Sequence, residues 1–147
     1  MANNHDFLDQ VQRYISEHRR DGLAAYNISG IYDLLPETQS GATDVAYKWP
    51  ESWPNSSNAG VYAIFGSDMR LLYVGKSSMN SFLGTRLSSY FGYTPERTCR
   101  IKGDWSITPR YLMTVAVPDD ATWEAPALEE FLVQRLNPSL NKNGRSS

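Results

Sequence analysis

The chain has 147 residues, 41% hydrophobic and 20% charged, with a net charge of −2, which suits one folded domain with its own core and excludes disorder throughout. No run approaches the ~18 apolar residues of a membrane span, a single cysteine (Cys99) excludes an internal disulfide scaffold, and the start MANNHDFLDQ lacks the basic and apolar regions of a secretory signal. These readings predict a cytoplasmic protein. The net charge hides an asymmetry, because residues 1–59 hold four basic against eight acidic side chains and residues 60–147 hold ten against eight. Only the later part has a basic face to offer to phosphates.

Phe7, Leu8, Val11, Tyr14 and Ile15 recur at helical spacing, with Asn4 or Asp6 as the expected cap and Gly22 as the stop. A short apolar stretch follows from Leu23 to Leu35 and ends at Pro36. Residues 37–58 shift to Ser, Thr, Gly, Pro and Asn, with Trp49 and Trp53 beside prolines, and read as a linker that packs on the rest. Val61–Phe65 and Leu71–Val74, separated by Gly66-Ser67-Asp68, read as a strand hairpin. Phe82–Phe91 carries helical spacing at Leu83, Leu87 and Tyr90. Tyr111–Val117 is a third strand. A last helix carries Leu128, Leu132 and Leu136, with Thr122 as its expected cap, Pro126 tolerated in its first turn and Asn137-Pro138 as its end. The order predicts an α+β fold: a small, three-stranded, mainly antiparallel sheet flanked by helices. It divides the chain into a helical extension with a Trp/Pro-rich linker (1–59) and a more sharply patterned α+β domain (60–147).

Metal clusters, a serine triad and a phosphate loop all fail on residue type or spacing: His5, His18 and Cys99 are isolated, and neither G-x-S-x-G nor a Walker sequence occurs. What remains is an ordered set of polar residues at strand ends and on helices. Gly60-Val61-Tyr62 is followed by Tyr73-Val74-Gly75, then by Arg86-Leu87-Ser88-Ser89-Tyr90, then by Leu128-Glu129 and Pro138-Ser139-Leu140-Asn141. This set resembles the GIY-YIG nuclease signature, and its spacing is similar to that in the nuclease domain of the bacterial excision-repair subunit. The literal string Gly30-Ile31-Tyr32 has no such continuation and reads as chance.

The resemblance implies a divalent-metal-dependent endonuclease that hydrolyses phosphodiester bonds in DNA, with RNA left open as a substrate. It implies Glu129 as the ligand of Mg²⁺ or Mn²⁺, Arg86 as the group stabilising the phosphate and Tyr62 as general base, helped by Lys76 and Arg86, with Tyr73 orienting the water or the tyrosine network. Tyr90 and Asn141 are expected near substrate, Asn141 alternatively as a brace. Arg97, Arg100 and Lys102, interleaved with Tyr93 and Trp105, read equally as a grip on a nucleic-acid backbone or as an ordinary surface loop. A homodimer, or a partner protein held through the extension, is the further expectation, and no membrane is. Each residue has a plainer reading: strand tyrosines fill cores, Lys76 and Arg86 are surface charges, and Glu129-Glu130 is a solvated turn favoured by the helix dipole. The alternative function is a catalytically inactive binding module on the same fold.

Overall fold

The computed structural model describes residues 1–34, 53–93, 99–101 and 105–141. Its elements run α1 (Asn4–His18), β1 (Asn27–Ile28), β2 (Tyr32–Asp33), β3 (Gly60–Phe65), β4 (Leu71–Ser77), α2 (Leu83–Tyr90), β5 (Phe91–Tyr93), β6 (Cys99–Ile101), β7 (Tyr111–Ala116), a 3-10 turn (Asp119–Ala121) and α3 (Glu124–Leu136). The fold is α+β. The main sheet runs β1-β7-β3-β4, with β2 also pairing β7, and every pairing is antiparallel. The three long strands are those expected from sequence. The sheet is wider than three strands because β1 and β2 lie one after the other along β7. Each is only two residues long, too short for any hydrophobic period to announce it.

β3 and β7 are buried at every position, because both faces of the sheet are covered. That is why they read as apolar runs, broken only by Thr114 in β7, and not as an alternation. Val61, Ala63, Phe65, Met113 and Val115 meet Phe7 and Val11 of α1 and Leu128, Leu132 and Val133 of α3. Tyr62, Ile64 and Leu112 meet Leu83, Leu87, Phe91 and Trp53 on the opposite face. Trp53 is the linker tryptophan expected to pack: it is buried and donates through Nε1 to Ser88 Oγ at 3.0 Å. Trp49 lies outside the described residues. A register shift after Ile64, where Ile64 faces Tyr73 and Phe65 faces Leu71, leaves Leu72 as an extra residue in β4.

The α1 cap is Asn3, one residue before the expected Asn4. Its Oδ1 accepts from His5 N at 2.9 Å and Asp6 N at 3.1 Å, while its own N–H donates to Asp6 Oδ2 at 2.9 Å. Asp6 is therefore the reciprocal partner in a capping box. α1 ends at His18, and Gly22, at φ 88°, lies in the turn beyond it. α3 begins after Trp123 with no side-chain cap, so Thr122 does not serve as one. It ends as expected at Asn137, whose φ of 47° is the left-handed turn before Pro138.

A buried ion pair ties the N-terminal segment to α3. Arg19 Nε and Nη2 donate to Glu124 Oε1 and Oε2 at 2.6 and 2.9 Å, and Tyr26 Oη donates to Oε1 at 2.7 Å. The guanidinium lies 4.2 Å from the centre of the Tyr26 ring. Arg19 holds the Glu124 carboxyl below the ordinary carboxylate range, while burial pushes the Tyr26 phenol up. Glu124 also stands in the first turn of α3, where a negative charge is favoured. Glu124→Ala strands the Arg19 charge away from water and should lower the unfolding free energy by about 3 kcal/mol in urea titration. A loss under about 0.5 kcal/mol would class the contact with exposed ion pairs.

Candidate active site

β4 is an edge strand, and the site wraps around its C-terminal end. Tyr62 of β3 and Gly75 of β4 are direct partners in the ladder. A Cβ on Gly75 would collide with the Tyr62 ring and hydroxyl. The missing side chain is what lets the phenol lie across the edge strand. Gly60, the other glycine of the tripeptide, passes so close to β7 that a Cβ would strike the Val115 carbonyl oxygen. Both glycines are thus packing requirements.

Eight residues line one open pocket of about 290 Å³: Tyr62, Tyr73, Lys76, Ser77, Ser78, Ser81, Arg86 and Glu129. They come from β3, β4, the turn after it, α2 and α3. By strand alternation Tyr62 and Tyr73 belong to the α2 face, whereas Lys76, paired with Val61, belongs to the α3 face that carries Glu129. Only at a sheet edge do the two sets meet. Arg86 is exposed, Glu129 is half-buried, and Glu130 is exposed without lining the pocket.

Tyr62 is 0% exposed and forms the pocket's floor. Its hydroxyl donates to Tyr90 Oη at 3.1 Å. Tyr73 and Tyr90 lie tilted against it, with ring centres 6.1 and 5.9 Å away, and Trp105 meets those two edge-on at 6.3 and 5.6 Å. The Arg86 guanidinium sits 5.5 Å from the Tyr90 ring centre. Burial pushes the Tyr62 phenol far up, the Tyr90 hydrogen bond pushes it further, and Arg86 opposes both more weakly. This corrects the electrostatic part of the sequence reading: nearby cations were expected to acidify Tyr62, but desolvation wins and Lys76 is not among the groups acting on it. Tyr73 is pushed up to about 12, chiefly by burial. The Glu129 carboxyl is also raised by burial, against the pull of Lys76 and then Arg86.

The five residues expected to carry chemistry, Tyr62, Tyr73, Lys76, Arg86 and Glu129, therefore come together. The residues expected near substrate behave differently. Tyr90 stands behind Tyr62 and does not line the pocket. Asn141 is buried, its Oδ1 accepting from Val74 N and its Nδ2 donating to Val74 O, both at 2.8 Å. Of its two expected roles, the geometry is that of a brace: the amide completes the outer edge of β4, as Leu140 N does at Leu72 O, 2.8 Å away. Arg100 lies on β6, opposite Gly92 in the β5–β6 ribbon, and Arg97 and Lys102 fall outside the described residues. The literal string at Gly30 ends in Tyr32 of β2, paired with Leu112 and away from the pocket. Sequence reasoning missed Ser77, Ser78 and Ser81. Ser77 Oγ donates to Ser81 Oγ at 2.9 Å and Lys76 Nζ donates to Ser78 Oγ at 3.4 Å, and the Ser-Ser pair directly after Lys76 was the available signal.

The chain is similar to proteins named UvrABC system protein C. It is 29% identical over 92 residues to that of Aliarcobacter butzleri strain RM4018, covering 58% of this chain. It is 35% identical over 91 residues to that of Campylobacter jejuni strain RM1221, covering 60%. In both cases the match spans 14% of the relative's length. No family model and no solved structure matches the chain. No helix among the described residues is long and apolar enough to cross a membrane.

Gly75→Ala forces the Tyr62 ring out of its place. It should cost about 1–3 kcal/mol in thermal or urea unfolding, with a change in the near-ultraviolet tyrosine signal. An unchanged spectrum and stability would mean that the phenol does not depend on the glycine.

Proposed function

We propose that the chain is a divalent-cation-dependent endonuclease of GIY-YIG type that hydrolyses phosphodiester bonds in DNA. The observation that carries this reading is the convergence of Tyr62, Tyr73, Lys76, Arg86 and Glu129, far apart in sequence, on one open pocket. The likeness to UvrABC system proteins, joined to the motif resemblance, supports DNA as the polymer.

The donor set suits a hard, hydrated cation. Glu129 makes no hydrogen bond or ion pair among the described residues and faces open volume, and no group of three or more His, Cys, Asp or Glu gathers among them. One carboxylate is a thin shell of the kind Mg²⁺ or Mn²⁺ accepts when water and phosphate oxygens complete it. Such an ion, held by Glu129, would supply Lewis acidity to the phosphoryl and leaving oxygens. Arg86 pairs with the non-bridging oxygens and offsets the charge that develops there. Lys76, steadied by Ser78, adds a second cation on the other side of the pocket. Tyr62 keeps its proton in the free protein and directs it at Tyr90, so its oxygen lone pair orients the attacking water, whose own proton leaves to solvent through the open pocket. Tyr73 walls the water in.

The full burial of Tyr62, with its hydroxyl bound to Tyr90, is the observation favouring the second reading, a binding module that does not cut. A cleavage assay separates the two, with supercoiled, linear, branched and single-stranded DNA and an RNA, in Mg²⁺, Mn²⁺ or EDTA. Metal-dependent cutting of DNA is expected, and binding without cutting would favour the module.

Glu129→Gln should abolish cutting and yet melt higher than the native chain at neutral pH. A carboxyl whose folded pKa is raised destabilises the fold once ionised. The gain should be full above that pKa and vanish below about pH 4, where the group is protonated folded and unfolded alike. An equally active variant would remove Glu129 from the mechanism. Tyr62→Phe should slow single-turnover cleavage by about 100-fold or more with little change in melting temperature, and a native rate would remove the hydroxyl from the reaction.

A further inference from the structure

The turn from β4 into α2 carries two large apolar side chains in water beside the pocket. Met79 is 86% exposed and Phe82 is 48% exposed. They adjoin Ser78 and Ser81, which line the pocket, so their Cα atoms stand about 3.8 Å from lining residues. Met79 and Asn80 hold φ of 57° and 69°, a left-handed backbone that a long side chain rarely adopts. The turn is closed by Ser81 N donating to Ser78 O at 3.3 Å and by the Ser77–Ser81 hydroxyl bond at 2.9 Å. The chain thus holds an unfavourable backbone shape that turns methionine outward instead of burying it.

The surroundings say what such a pair would meet. Lys76 and Arg86 line the pocket beside this turn, with Glu129 the one acidic side chain in its lining, in a chain that is negative overall. A polyanion is drawn to this side. Two side chains offer far less than the ~800 Å² that each partner buries in a standard protein interface. They suffice for insertion at a base step, where Phe and Met act as apolar wedges. A phosphate in the pocket would bring neighbouring bases, spaced ~3.4 Å along a strand, to the rim where these side chains stand.

We infer that Met79 and Phe82 form a wedge that stacks on bases next to the bound phosphate and selects DNA with an unstacked or unpaired step. This rests on the nuclease reading for the phosphate's position but not on catalysis. The test uses a duplex with one unpaired nucleotide beside 2-aminopurine and a fully paired control, both in EDTA so that nothing is cut. The native chain should raise 2-aminopurine fluorescence on the first duplex. Met79→Ser/Phe82→Ser should lose that rise and bind the first duplex about tenfold more weakly, in line with the loss of one stacked contact. Affinity for the paired control, and its cleavage in Mg²⁺, should stay within about twofold, and Phe82→Trp should restore the fluorescence rise. Equal fluorescence from native and double variant, or equal loss of affinity on both duplexes, would overturn the wedge. So would a double variant that loses self-association in sedimentation with its DNA signal intact, which would make the pair a protein contact. A native chain that cuts nothing but raises the fluorescence would sink the nuclease reading and leave the wedge standing.

Discussion

Tyr62 and Gly75 face each other across β3 and β4, and no side chain fits at Gly75 while the phenol lies where it does. The constraint is steric and local, but its effects spread. It brings a residue of a central strand to the sheet's edge, and only at an edge do groups from opposite faces share a cavity. Tyr73 and Arg86 approach from the α2 side, and Lys76 and Glu129 from the α3 side. Placed one strand further in, the same residues would be parted by the sheet itself.

The surrounding fold supplies what that arrangement needs. The β4 edge would be a row of open backbone groups had Leu140 and the Asn141 amide not completed it at Leu72 and Val74. α3 is fixed at its start by the Arg19–Glu124–Tyr26 cluster. Glu129 follows five residues after Glu124, about 7.5 Å along the helix axis. The N-terminal segment is therefore part of what orients the pocket's carboxylate. Burial gives both Tyr62 and Glu129 a firm seat and makes ionising either one costly. That tension is common where side chains are arranged for chemistry.

Much of this was legible in the sequence. β3 and β7 announced themselves as largely apolar runs, α1 and α3 as apolar stripes at helical spacing, and four of the pocket residues, Tyr62, Tyr73, Arg86 and Glu129, as motif positions in order. What escaped depends on partners far away in the chain. β1 and β2 are strands only because β7 offers an edge, and a dipeptide has no period. Asn141 binds Val74, 67 residues earlier, and a sequence cannot tell such a brace from a substrate contact. Counting the cations near Tyr62 missed the larger effect, because charge is written in the sequence while depth is not. The three serines were overlooked because adjacent hydroxyls, even as a pair directly after Lys76, are as common in ordinary turns as in sites. Asn3 was missed as a cap because Asn3, Asn4 and Asp6 are all good cap residues, and only the hydrogen bonds choose among them.

The two ends of the described sheet are unlike each other, but both are poor templates. On one side β4 is already occupied by Leu72 and Val74 pairing with the segment that follows α3. On the other, the outermost backbone is a pair of dipeptides, β1 and β2, divided by Ser29-Gly30-Ile31. Another chain seeking to add itself by strand pairing finds a taken ladder on one flank and an interrupted one on the other. Among the described residues, this sheet is thereby guarded on both flanks against edge-to-edge growth.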